Sequence, residues 1–368
     1  MLGGVSGGPL ETLHRRALEA SALDSVEAAL ESGRFREALL LADWAPEGPL
    51  PAGVTVEIDR DHSQEAFHFG RRLQGAIADH GLERLLYVGG GGAPLLGAGE
   101  FEALARGISG EAPACVTNNF FSADLFAVSP ASLLARLDPP PDSDNVVPRR
   151  LREECGAEVE ELPRSLATQL NLDSPVDLVA LALGGRGGPR LARLLEEWAP
   201  DSGRMARAAM ALTDREAEVL VAGRVSSRTW QELERETACR VRVLAEERGM
   251  GVAGRDADGS ARSLLGQTIS AVGPARFFGE LLPQLCDAAF IDIRPALVQM
   301  GLRPSRADRF AADLGLAAEI ADERLRALVE AAAASPVPVV LGGHSLVAGV
   351  LVLLNDWAWA QRDRAAGR

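Results

Sequence analysis

The stretch Arg84–Leu104, RLLYVGGGGAPLLGAGEFEAL, sets the fold class. RLLYV reads as a buried strand, Gly89, Gly90, Gly91 and Gly92 follow without a side chain between them, and a helix begins at about Gly99 and runs to Arg106. A strand, a tight glycine loop and a helix make one step of an α/β sheet, and ligands bind where such strands end. Bare glycines let main-chain N–H groups approach an anion near a helix start. The alternative is a tight crossover that needs positive φ. Neither familiar phosphate motif is present. In G-x-G-x-x-G the third glycine would fall on Pro94 or Leu95, and the Walker loop needs a lysine, which the chain lacks.

On either side of this stretch the pattern repeats. EALLLAD (37–43), VTVEID (54–59), ACVTNN (114–119), LFAVSP (125–130) and EVEEL read as strands. Helical spacing marks 10–31, 64–80, 131–137 and 146–155, and another helix opens at SPVDLVALAL with Pro175 in its first turn. The alternation predicts an N-terminal helical segment, 1–35, then a doubly wound α/β domain with a mostly parallel sheet at 36–185. After the linker GGRGGPR, helical periodicity covers 190–198, 203–211, 213–222, 228–248, 272–288 and 316–334, and a strand, VPVVL, appears at 337–341. A largely helical domain is expected at 190–368.

Composition narrows the chemistry. With 47% hydrophobic residues the 368-residue chain can build a real core. The formal charge of −14 opposes nucleic acid and anionic membrane, so neither is an expected partner. All 38 basic residues are arginine, which removes Schiff-base chemistry and a lysine base. Cys115, Cys155, Cys239 and Cys286 form no zinc spacing and read as reduced thiols. The first twenty residues lack a basic start and an apolar block, and the apolar run VAGVLVLL (347–354) is too short to span a bilayer, so a cytoplasmic location is expected.

ELPRSLATQLNLDSPVDLVAL (161–181) resembles the end of the nucleotidyltransferase domain of the molybdopterin-guanylyltransferase and phospholactate-guanylyltransferase group. There a D-x-D-T-P-x-D-L segment closes the sheet; here Asn171, Leu172, Asp173, Ser174, Pro175, Val176, Asp177 and Leu178 stand in its place. Gly89–Leu96 resembles the family's GGxPLL loop, and TNNFFSADLFAVSPASLL (117–134) the middle of the domain. The resemblance implies a Rossmann-like fold, a small-molecule nucleotide as partner and Mg²⁺ as cofactor. It puts metal at Asp173 and Asn171, and nucleotide against Gly89, Gly90, Gly91 and Gly92; Asn118, Asn119, Asp144 and Asn145, in loops at strand ends, are further nucleotide-binding candidates, with turn and cap chemistry as the alternative. Arginines of the second domain would neutralise phosphate. Asp173, Asp124 and His344 are the catalytic candidates, with Asp59, Asp61 and His62 as further polar groups. The chain departs from the family at the first metal aspartate, where Gly91, Gly92 and Ala93 stand, and in ADWAPEGPLPAG (42–53), which has no basic residue. Two readings follow: an enzyme with altered ligands, and a nucleotide-binding or scaffolding protein that kept the fold.

Other segments carry their own alternatives. GRVSSRTWQELERETACRVRVLAEERGM (223–250) reads as a helix whose Arg224, Arg228, Arg240, Arg242 and Arg248 meet glutamates, or as an arginine cluster for phosphate or carboxylate. LTDREAEVL (212–220) resembles the start of a LuxR-type helix-turn-helix without its recognition helix. VVLGGHSLVAG (339–349) approaches a nucleophile elbow, with Ser345 and His344 as hydrolase candidates, but Val347 replaces a glycine and no histidine follows Ser345. Asp292, Arg294 and PSRADR (304–309) are further polar candidates.

Overall fold

The computed structural model describes residues 7–59, 67–250 and 253–367. Asp61, His62 and the first residues of the helix expected at 64–80 lie outside them. The protein is α/β, and its chain divides into two compact units. One comprises Arg16–Asn171 and Gly187–Leu191. The other comprises Leu172–Arg186 and Ala192–Arg368, together with the described N-terminal residues 7–15.

In the first unit, β1 (Ala38–Ala42) and β2 (Val54–Ile58) pair in parallel. A second sheet has the order β3-β5-β4-β6, formed by β3 (Leu85–Val88), β4 (Ala114–Thr117), β5 (Leu125–Ser129) and β6 (Glu158–Glu161). Strand alternation sorts its residues between two cores. Phe126 and Val128 of β5 pack with Phe69, Leu73 and Tyr87, whereas Leu125 and Ala127 pack with Phe101, Leu104 and Val116. This sheet is mixed: β4 and β6 are parallel, but β5 runs antiparallel to β3 and β4. The cause is chain length. Only residues 118–124 join β4 to β5, and a parallel crossover needs about a dozen residues or more.

The second unit is rich in helix, and its helices surround a four-stranded sheet in the order β10-β9-β7-β8, parallel throughout. Its strands are β7 (Glu218–Gly223), β8 (Arg240–Ala245), β9 (Ala288–Asp292) and β10 (Val339–Gly342). Two of them, β7 and β8, fall where helix was expected, and β9 starts at the last residue of another expected helix, 272–288. EVLVAG and AAFID are short apolar runs buried on both faces, and such runs carry no period that separates strand from helix. RVRVLA is an edge strand that turns Arg240 and Arg242 to solvent, where Arg242 Nη2 lies 2.5 Å from Glu218. The expected long helix at 228–248 is therefore a helix, Ser227–Glu236, followed by β8. Ser226 caps that helix by accepting from Thr229 N at 3.0 Å.

Helix Pro175–Gly184 opens as the sequence implies. Ser174 is its N-cap, Pro175 fills the first turn, and the Asp177 carboxylate takes the N–H groups of Asp173 and Ser174, both at 2.8 Å. It packs on helices Arg306–Leu314 and Gly349–Ala365. No helix among the described residues is long and apolar enough to cross a membrane. All four cysteines are free, and burial pushes the Cys115 thiol up to about 12, which leaves it unreactive.

Candidate functional site

In the first unit the glycine run is a tight turn: Gly92 N donates to Gly89 O at 2.9 Å. None of the four glycines has positive φ, so the chain does not need them for left-handed backbone. What it needs is room. A Cβ on Gly92 would lie 3.0 Å from Asp124 O, and one on Gly89 would lie 3.2 Å from the same atom. The loop from β4 to β5 fills that space. Gly89 and Gly90 also line an apolar cavity of about 430 Å³ beside β1 and β3, walled by Val26, Leu30, Leu41 and Phe101.

Several expected nucleotide contacts do gather around this turn. Asn118 receives Asp124 N at 3.1 Å and donates Nδ2 to the Asp124 carboxylate at 3.2 Å. Tyr87 Oη donates to Asp144 at 2.9 Å, and Ser122 Oγ to Asn145 Oδ1 at 2.8 Å. Asn119 Oδ1 accepts from Phe121 N and Ser122 N, and Asn171 Oδ1 accepts from Ala93 N at 3.4 Å. These bonds hold the loop together and occupy most of the polar atoms a nucleotide would use. Burial raises Asp144 above the usual carboxylate range, against the opposing pull of the Tyr87 hydroxyl. A raised carboxyl adds stability below its unfolded pKa and loses it as pH rises through the folded value. The stability of Asp144→Asn relative to the parent should therefore climb from pH 3 to pH 7, as urea titrations at each pH would read.

The second unit holds a different kind of site. In its sheet, β7 connects onward to β8 on one side while β9 connects to β10 on the other, so the crevice between the ends of β7 and β9 is a topological switch point. Gly223 and Arg224 leave β7 there, Asp292 and Arg294 leave β9, and Gly343 and His344 follow β10. They open into a cleft of about 650 Å³ whose wall includes Arg224, Arg294, Arg303, Arg306 and Arg309. Its apolar side is formed by Met250, Leu297, Leu302 and Phe310, and the His14 ring lies 5.0 Å from that of Phe310.

Two buried carboxylates fix the inner arginines. Asp292, fully buried, accepts from Arg224 Nε at 2.6 Å and Nη2 at 3.2 Å, and from the backbone N–H groups of Arg224 and Arg294. Asp313, equally buried, takes Arg294 Nη2 at 2.5 Å. Arg303, Arg306 and Arg309 make no ion pair among the described residues. Burial, and then the like charges of Arg294 and Arg306, lower Arg309, a direct sign of crowded positive charge. Counting Asp173 and Asp256 in the wall with Asp292 and Asp313 behind it, five arginines face four carboxylates. In a chain of charge −14, that local surplus of positive charge favours an anion.

Asp173 stands in this cleft, exposed to it, and its carboxylate has no hydrogen-bond partner among the described residues. The crowding of protein around it raises its pKa, Arg224 and Arg294 pull it down, and Asp292 pushes it up. His344 and His14 are both lowered to about 4, chiefly by burial, and are neutral at pH 7. His344 Nδ1 and Arg294 Nη1 are buried without a hydrogen-bond partner among the described residues, and such groups call for a bound water, ion or ligand. Ser345 Oγ donates to Asp177 at 2.5 Å and is buried. Its proton goes to a carboxylate rather than to His344, so the serine lacks the base a nucleophile requires.

The donor set does not fit a resident Mg²⁺. Asp292 and Asp313 are taken by arginines, Asn171 lies in the first unit bonded to Ala93, and Asp173 is flanked by Arg224 and Arg294, which repel a dication. Of the sequence candidates, Asp173, His344, Asp292, Arg294 and the PSRADR arginines come together here. Asp124, Asp144 and the asparagines form the cluster in the first unit. Arg228, Arg240 and Arg242 are not in the wall. Neither His14 nor Arg303 stands out in the sequence; nothing in a lone histidine on a helix announces a cleft. No protein-family model matches the chain, and no curated protein matches it.

Proposed function

We propose that this protein binds a phosphate-bearing small molecule in the arginine cleft of its second unit, and that the ligand belongs to the nucleotide class implied by the resemblance over the N-terminal half of the chain. The observation that carries this reading is the convergence of five arginines at the switch point of a parallel sheet. Arginine's planar fork matches phosphate oxygens, and the Asp292 and Asp313 pairs hold two of the forks in place before any ligand arrives. The apolar side offers a seat for a base or another flat group. Calorimetric titration with nucleoside mono-, di- and triphosphates tests it. Arg306→Ala and Arg309→Ala should each weaken binding about tenfold, since a charge-assisted hydrogen bond contributes roughly 1.5–3 kcal/mol. Affinity should also fall as salt rises. Undiminished binding in the double variant would reject the cleft as the site.

Nucleotidyl transfer is the second reading, favoured by the open carboxylate of Asp173 in the same cleft. In it an acceptor hydroxyl attacks the α-phosphorus, pyrophosphate leaves, and the hydroxyl proton passes to Asp173. Pyrophosphate release from each nucleoside triphosphate, with and without added Mg²⁺, and its loss in Asp173→Asn, decides between transfer and binding alone.

A further inference from the structure

We infer that Asp173 makes the cleft selective for phosphate ligands that carry their own hydroxyl donor, such as hydrogenphosphate or the phosphate of a polyol or ribose. The inference rests on the arginine cleft being an anion site. Apart from Asp173 and Asp256, every charged side chain identified there either donates or is already bonded to a charged partner. The five arginines can only donate, and Asp292 and Asp313 are buried and bonded to arginine. Of the two carboxylates in the wall, Asp256 Oδ1 already accepts from Ala257 N at 2.8 Å, whereas Asp173 has no hydrogen-bond partner among the described residues and is flanked by Arg224 and Arg294.

An ionised carboxylate only accepts hydrogen bonds. Beside an incoming anion it has two possible outcomes. A ligand with no proton to give sets oxygen lone pairs and negative charge against Asp173, which opposes the pull of the arginines. A ligand with an O–H beside its charged oxygens turns that repulsion into a charge-assisted hydrogen bond while the arginines hold the remaining oxygens. The backbone N–H of Asp173 is bonded to Asp177 on the buried side, which fixes the residue at the start of helix Pro175–Gly184. The fixed acceptor thus filters by hydrogen-bond character among ligands of equal charge.

Two matched pairs of probes at pH 8 test this by calorimetry on the full chain. Hydrogenphosphate and sulfate are both tetrahedral dianions, and only the first carries a proton. Ribose 5-phosphate and methyl phosphate are both dianionic monoesters, and only the first carries hydroxyls. Hydrogenphosphate and ribose 5-phosphate should each bind about tenfold or more tighter than the matched partner, the scale of an unmet buried hydrogen bond. The tighter of the two names the source of the phosphate. Asp173→Asn, nearly isosteric and able to donate, should bring sulfate and methyl phosphate up to the level of their partners. Equal binding within both pairs by the parent protein overturns the role of Asp173 while leaving the anion site intact. Failure of all four probes to bind overturns the anion site itself. A melting curve of Asp173→Asn matching the parent separates lost selectivity from lost fold.

Discussion

Asp292→Ala is expected to destabilise the second unit by about 3 kcal/mol, the lower part of the range for breaking a buried charge pair. The carboxylate is fully buried and satisfies four N–H groups at once, two from the Arg224 guanidinium and two from the backbone of Arg224 and Arg294. Alanine leaves all four without an acceptor at the point where β7 and β9 end. The figure sits low in the range because the Arg224 side chain is 23% exposed and can turn toward water once released. Urea unfolding of the parent and the variant measures the difference. Asp292→Asn should cost less, since it keeps one acceptor oxygen and the shape. A loss below about 1 kcal/mol for alanine would mean that the pair contributes little to the fold.

Gly223→Ala should have an effect at least as large. Gly223 ends β7 with φ of 120°, a conformation side chains rarely adopt, and a Cβ there would lie 2.4 Å from Asp292 Cβ and 2.8 Å from its carbonyl oxygen. Backbone strain and overpacking act together, each on the order of 1–3 kcal/mol, so the expected loss is about 3–5 kcal/mol. Anion binding should fall with it, because the only relief is to push the ends of β7 and β9 apart. Gly75→Ala is the matching control. It lies within helix Phe69–His80 with nothing within 4 Å of the added carbon, so it should stabilise by about 0.5–1 kcal/mol. Chemical denaturation curves for both variants, with phosphate titrated into each, separate the two cases. A Gly223→Ala protein with parental stability would show that the ends of these strands are loosely packed.

What the sequence disclosed, and what it hid, follows from the range of the interactions involved. Local signals were readable. Ser174, Pro175 and Asp177 announce a capped helix, and the alternation in VTVEI announces β2. The direction of β5 was not readable as parallel or antiparallel from alternation, since side-chain period is the same for both; loop length decides it. EVLVAG and AAFID hid as strands because burial on both faces erases the alternation that marks a strand. The glycine run does mark a close approach, but its neighbour is the Asp124 backbone. The cleft was legible only in pieces. Asp173, Asp292, Arg294 and Arg306 are each visible as polar groups, yet they lie in three separate stretches of the chain, and only the fold around the parallel sheet brings them to one place.

Helix Pro175–Gly184 has a consequence for how the protein is made. Its residues Pro175 to Leu181 are all buried, and the helices that cover it, Arg306–Leu314 and Gly349–Ala365, come much later in the chain. On the ribosome this apolar segment emerges and waits for the C-terminus, a delay on the order of ten seconds at typical elongation rates. Throughout that interval it is exposed and sticky, so nascent chains that stall or end before Gly349 are the ones that will need a chaperone.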